Sequence, residues 1–208
     1  MQLIGMLDSP YVRRVAISLQ LLDLPFEHRA LSVFRTFDEF AAINPVVKAP
    51  SLVCDDGEVL MDSTLILEYA ERLAAPDKSL MPGDPAGLQN ALRIIGLALA
   101  ACEKSVQILY EHELRPEHKR HDAWLSRVTG QLHSAYDALE AEIDRQPLAV
   151  GREEINQAGI TAAVAWYFTQ HMIPGVVDPD KYPALKKHSA RAEQLPEFEA
   201  APYGLTEM

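Results

Sequence analysis

The sequence predicts a chain in two parts. Residues 1–75 form a small α/β half with the order strand, helix, strand, helix, strand, strand, helix (βαβαββα). Residues 86–208 form an all-α half, and residues 76–85 link the two. Three observations lead to this reading. Short apolar runs alternate with stretches of helical periodicity in the first 75 residues. The segment "AAPDKSLMPGDPAG", with three prolines and two glycines, then interrupts the periodicity. Beyond it, long stretches keep helical spacing with few breakers.

The elements follow in order. Gln2-Leu3-Ile4-Gly5-Met6 reads as a strand. Ser9-Pro10 then opens a helix: serine is a favoured N-cap and proline suits the first helical position. Val12, Val15, Ala16, Leu19 and Leu22 share its apolar face, and Arg13 and Arg14 fall mostly off that face. Pro25 breaks the chain before a short strand that runs to about Leu31. Thr36 with Glu39 has capping-box spacing, and Asn44-Pro45 ends that short helix. "VVKAPSLV", the turn "CDDG" and "EVLM" read as a hairpin over residues 51–61. "DSTLILEYAERL" is a helix capped by Asp62 or Ser63. After the linker come two long amphipathic helices, about 86–113 and 117–145. "NQAGITAAVAWYFTQHM" is apolar almost all round and is expected to be buried. "YPALKKHSARAEQL" is a further helix, followed by "PEFEA" and a tail.

Composition narrows the function. Of 208 residues, 48% are hydrophobic and 24% charged, an ordinary balance for a globular protein. The formal net charge of −11 and the lack of a basic patch argue against nucleic acid as a partner. Arg13-Arg14, Lys119-Arg120 and Lys186-Lys187 read as solvated helix faces. Cys54 and Cys102 form neither a disulfide framework nor a metal-ligand cluster and read as small buried hydrophobes. The most apolar run, "IIGLALAAC", lies between Arg93 and Glu103, far short of the roughly 20 residues a membrane span needs. The first residues lack a basic stretch followed by a long apolar one. The expectation is a cytosolic protein with no membrane partner and no metal.

Ser9 holds two possibilities on local physics. It can cap its helix, or it can stand at a strand-to-helix junction where free N–H groups and the positive end of a helix dipole meet a bound anion.

The ordered set "SPY", "KAPSL", "DST", "SLMPGDP" and "YPALKKHSARAEQLPEF" resembles the cytosolic glutathione transferase family over nearly the whole chain. The resemblance implies a thioredoxin-like first half that binds glutathione as co-substrate. It also implies a homodimer, a small hydrophobic electrophile as second substrate and a role in detoxification. Ser9 would be the catalytic residue of a serine-type member and would donate a hydrogen bond to the glutathione sulfur. A free thiol has a pKa of about 8.5 and the thiolate is the nucleophile, so a shift of two units needs about 2.7 kcal/mol. Met6, Leu7 and Asp8 offer no phenol for the tyrosine type, and no cysteine replaces Ser9 for the thiol-exchange type.

Pro50 matches the family's cis proline, with the Ala49 backbone meeting the cysteinyl part of glutathione. Asp62 and Ser63 match its acidic-serine pair: Ser63 for the γ-glutamyl carboxylate, Asp62 for the ammonium. Lys48 would meet a ligand carboxylate. The electrophile site is expected between the halves, with walls from Ile108, Tyr110, Glu111 and Trp166. Gly159 departs from the family, which carries an aspartate there, and leaves Asn156 as the sole cap of its helix. Two alternatives stay open: glutathione-dependent isomerisation or peroxide reduction at the same site, or glutathione binding with little catalysis.

Overall fold

The computed structural model describes residues 1–204. They divide into two compact units, one of residues 1–80 with the described residues from Gln194 on, the other Met81–Glu193.

In the first unit the elements are β1 (Gln2–Ile4), α1 (Pro10–Leu21), β2 (Glu27–Arg29), α2 (Phe37–Ile43), β3 (Ser51–Val53), β4 (Val59–Met61) and α3 (Ser63–Leu73). The sheet order is β2-β1-β3-β4. β1 runs parallel to β2 and antiparallel to β3, with Ile4 opposite Ser51, and β4 closes the hairpin with Met61 opposite Ser51. This is the thioredoxin-like arrangement, a small mixed sheet with helices on it. Its core comprises Leu3, Ile4, Leu52, Ile66 and the apolar face of α1, all essentially inaccessible to water.

α1 is covered on every side. Arg13 and Arg14, read from the sequence as a solvated face, are only 2% exposed. The covering on one flank is α8 (Pro196–Glu199). Arg13 Nε donates to the carbonyl of Ala201 at 2.9 Å, and its guanidinium carbon stands 5.7 Å from the centroid of the buried Phe198 ring. Gln20 Nε2 donates to the carbonyl of Glu197 at 3.2 Å. "PEFEA" therefore returns to the first unit, where the sequence had placed it within a helical half of residues 86–208. Residues 76–80, read as linker, also stay in the first unit. Glu71 holds them by accepting from the Ser79 hydroxyl at 2.8 Å and the Leu80 N–H at 3.0 Å.

α2 starts without the expected capping box. The Thr36 hydroxyl bonds back to Ser32 instead, accepting from its N–H at 2.8 Å and donating to its carbonyl at 3.1 Å.

The second unit is helical: α4 (Pro85–Glu113), α5 (Asp122–Arg145), α6 (Gln157–Met172) and α7 (Pro183–Ala192). Residues 117–119, expected to begin α5, form a separate short turn, and α5 starts where His121 Nδ1 accepts the Trp124 N–H at 3.0 Å. α4 packs on α5 and α6, and α6 on α7. α6 is buried almost all round, as its composition predicts. Tyr136, Trp166 and Tyr182 form an aromatic cluster with centroids 5.3 to 5.9 Å apart. Among the described residues no helix is long and apolar enough to cross a membrane. Cys54 and Cys102 are buried and neither takes part in a disulfide.

Candidate functional site

Ser9 occupies the N-cap position of α1 in extended backbone, and its carbonyl accepts the Arg13 N–H at 2.9 Å. Its hydroxyl makes no capping hydrogen bond. The position is that of a cap, but the side chain does not act as one. Asp8, given no role in the sequence reading, stands beside it. Burial pushes its carboxyl above the usual range, against the opposing pull of Arg35 and of backbone N–H groups.

Gly5 shows how the start of α1 meets the loop before β3. With φ at +139°, a Cβ built on it would lie 2.6 Å from Val12 Cγ2 and 3.2 Å from the Ala49 Cβ. The close approach of strand end, helix turn and loop needs a residue without a side chain.

The loop carrying Lys48, Ala49 and Pro50 is held from beneath by Asn44, which is 5% exposed. Its amide nitrogen donates to Ser51 Oγ at 2.9 Å and to Met61 Sδ at 3.5 Å, and its oxygen accepts from the Val46 N–H at 3.0 Å. Ser51 Oγ in turn donates to the Lys48 carbonyl at 2.8 Å. Asn44 thus fixes both sides of a loop in which Val47 adopts a positive φ of 50°. The Ala49–Pro50 bond is cis.

Asp62 is the N-cap of α3, with Oδ1 accepting the Thr64 N–H at 3.0 Å. Its φ of 74° lies outside the comfortable range of a non-glycine residue. Asp62 Oδ2 pairs with Lys48 Nζ at 3.3 Å, and both side chains are about half exposed. Burial works to raise the Asp62 carboxyl, but the Thr64 N–H and Lys48 outweigh it and hold the group below its ordinary value. Ser63 follows, 3% exposed. Arg14 Nη1 donates to its hydroxyl oxygen at 3.1 Å and to Thr64 Oγ1 at 3.3 Å.

The structure thus joins Lys48 to Asp62 directly, and it joins Ser63 to the helix that begins at Ser9. Asn44 and Arg14 are the supporting residues the sequence reading missed. No periodicity marks them, because a buried polar residue carries the same letter as a solvated one.

The expected electrophile walls stand differently. Ile108 and Trp166 are 1% and 4% exposed and belong to the core of the helical unit, whereas Tyr110 is 40% exposed and Glu111 5%. At the start of α6 the cap expected of Asn156 is present, its Oδ1 accepting from the Gly159 N–H at 3.1 Å. The rest of that turn is filled by His188, whose ring nitrogen lies 2.9 Å from the Gly159 carbonyl.

A mixed four-stranded sheet, a loop ending in a cis proline and an acidic-serine helix start define the class as thioredoxin-like. Residues 3–78 match the model of the glutathione S-transferase N-terminal domain. The GST-like protein YibF of Escherichia coli (strain K12) is 27% identical over 84% of this chain and 86% of its own. A maleylacetoacetate isomerase of Pseudomonas aeruginosa is 33% identical over 43% of each chain. A glutathione S-transferase of Methylobacterium radiotolerans, solved in complex with glutathione sulfonate, is 28% identical, with a TM-score of 0.89 over 100% of this chain and 97% of that one. The first part of the chain therefore matches a glutathione S-transferase N-terminal domain, and the whole chain is similar in sequence and fold to members of that family.

Proposed function

We propose that the chain is a glutathione transferase that activates the glutathione thiol for attack on a small hydrophobic electrophile. One observation carries the reading: Ser9 stands at the first turn of α1 with a hydroxyl that makes no capping bond. A hydroxyl donor beside free N–H groups of a helix start lowers the pKa of a bound thiol, because each favours the charged form. The glutathione sulfonate complex of the Methylobacterium relative supports the ligand. In this reading Ala49 and Pro50 meet the cysteinyl backbone, Ser63 the γ-glutamyl carboxylate and Asp62 the ammonium, while Lys48 meets a ligand carboxylate. Ser63 is well prepared for a carboxylate. Its oxygen already accepts from Arg14, which leaves its own proton available to donate to a ligand, and a donor polarised in this way is strengthened.

Glutathione-dependent isomerisation is the second reading, favoured by the isomerase relative from Pseudomonas. A homodimer is supported by the exposed apolar positions Leu65, Tyr69 and Leu73 on α3, with Leu88 and Leu92 on α4. A cytosolic location completes the proposal.

The test is a calorimetric titration with reduced glutathione, followed by turnover against paired panels of electrophiles and isomerisable substrates. Saturable binding below millimolar concentration, with conjugate formed, is the expected result. No binding at millimolar glutathione overturns both readings.

A further inference from the structure

The helical unit carries an open surface cavity of about 480 Å³ where α4 ends and α5 begins, lined by Glu111, Arg115, His121, Ala123, Trp124 and Arg127, all but Glu111 exposed. Its volume falls within the range of small-molecule sites. None of the residues assigned to glutathione lines it.

The lining has a defined charge pattern. Glu111 is 5% exposed, and both of its oxygens are engaged. One pairs with Arg115 Nε at 2.8 Å and the other accepts the His121 N–H at 3.0 Å. Glu111 therefore serves to fix Arg115 and the start of α5, and it is not a free anion facing the cavity. The Arg115 contact through Nε uses one of the five donors of a guanidinium. Arg127 makes no ion pair among the described residues. Two guanidiniums against one carboxylate leave a local positive excess in a chain of formal net charge −11. His121 accepts the Trp124 N–H at Nδ1, which leaves Nε2 as the donor nitrogen of the neutral ring. His121, Trp124 and Arg127 recur every three residues and so lie along one side of α5. Trp124 is 41% exposed and offers a flat apolar wall.

A flat apolar surface, two guanidiniums and an imidazole donor match one ligand chemistry. We propose that this cavity is a binding site for a small aromatic carboxylate, its ring against Trp124 and its carboxylate on Arg127 and Arg115. Guanidinium binds carboxylate with matched, charge-assisted geometry, and an aromatic ring on indole adds dispersion and cation–π support from the arginines. The site stands apart from the glutathione reading, and the binding test that decides it uses no glutathione.

The probes are 2-naphthoate and its neutral counterpart 2-naphthalenemethanol, titrated calorimetrically into the full chain. The expected result is saturable 1:1 binding of the acid, with the alcohol at least about tenfold weaker, the lower end of what one charge-assisted hydrogen bond supplies. Arg127→Gln should weaken the acid by about the same factor and leave the alcohol unchanged, and Trp124→Ala should weaken both. Arg127 and Trp124 are exposed, so both variants are expected to fold, and a circular dichroism melt checks this. Equal affinity for acid and alcohol, or no effect of Arg127→Gln, overturns the proposal. A second arm adds glutathione and 4-(chloromethyl)benzoate. Chloride release with a Michaelis constant raised by Arg127→Gln assigns the site to the electrophile. Arg127-dependent binding of naphthoate without such turnover assigns it to a carboxylate that is held and not consumed. Both outcomes uphold the site.

Discussion

The starts of α1 and α6 are built from similar parts to different ends. Ser9 and Asn156 hold the same N-cap position in extended backbone. Asn156 closes its turn by accepting the Gly159 N–H, and His188 fills the space beside that glycine, where a Cβ would come within 3.4 Å of the ring. Ser9 leaves its turn open, although Pro10 has already fixed the helix entry. One helix start is therefore completed by its own side chains, whereas at the other the Ser9 hydroxyl makes no capping bond. A polar side chain whose partners lie within the fold is structural. One that leaves an obvious partner unused in a half-buried place is, in the function proposed above, the position for a ligand.

The largest test of this contrast is Ser9→Ala. Loss of one donor to a developing anion lowers turnover by about 10²–10³. Because no capping bond is lost, stability should change by no more than about 0.5 kcal/mol. The thiolate absorbance of bound glutathione, followed against pH, should shift to higher pH in the variant. Superimposed curves would return Ser9 to a purely structural role. Next comes Ser63→Ala, which removes a hydrogen bond to a ligand carboxylate and should weaken glutathione by about 1.5–3 kcal/mol, seen in the Michaelis constant and not in kcat. An unchanged Michaelis constant would detach Ser63 from the ligand.

Asn156→Ala is the mirror experiment. It should lower stability by about 1 kcal/mol in a denaturant titration and leave the turnover of folded protein unchanged. The smallest effect sharpens the same helix start by pH. Burial holds His188 below its ordinary pKa, helped by Arg191 and opposed by the carbonyls of Gly159 and Leu148. With the folded pKa below the unfolded one, the unfolded chain binds the proton more readily. Stability is therefore complete above about pH 6.5, the unfolded value, and falls as pH drops towards the folded value. His188→Gln should flatten that acid limb, and an unchanged limb would assign it to other groups.

Legibility in the sequence followed the physics of each signal. β1, α1, α3 and α6 were readable because periodicity, Pro10, Asp62 and Asn156 act locally. The pairing of Lys48 with Asp62 was not legible, because the two residues lie in separate motifs that were each assigned to a ligand. Arg13, Arg14 and Asn44 were not readable, because their burial depends on elements distant in sequence: the chain from Phe198 to Ala201 covers Arg13, and Ser63 meets Arg14. The return of α8 to the first unit was hidden for the same reason. The cavity beside Trp124 was signalled only by Glu111, which the sequence reading placed in a wall without a role.

The Lys48–Asp62 pair has a consequence for ionic strength. Each charge already faces its opposite at 3.3 Å, so the pair presents little net field to attract a simple anion. A zwitterion that offers a carboxylate to Lys48 and an ammonium to Asp62 exchanges one neutral pairing for two, and no counterions need be released. Binding of such a molecule should change little between low and physiological salt, since screening over a Debye length of about 8–10 Å acts mainly on unbalanced charge. If Lys48 and Asp62 hold glutathione as proposed, the resting pair would favour molecules carrying both signs at the right separation over abundant monovalent anions.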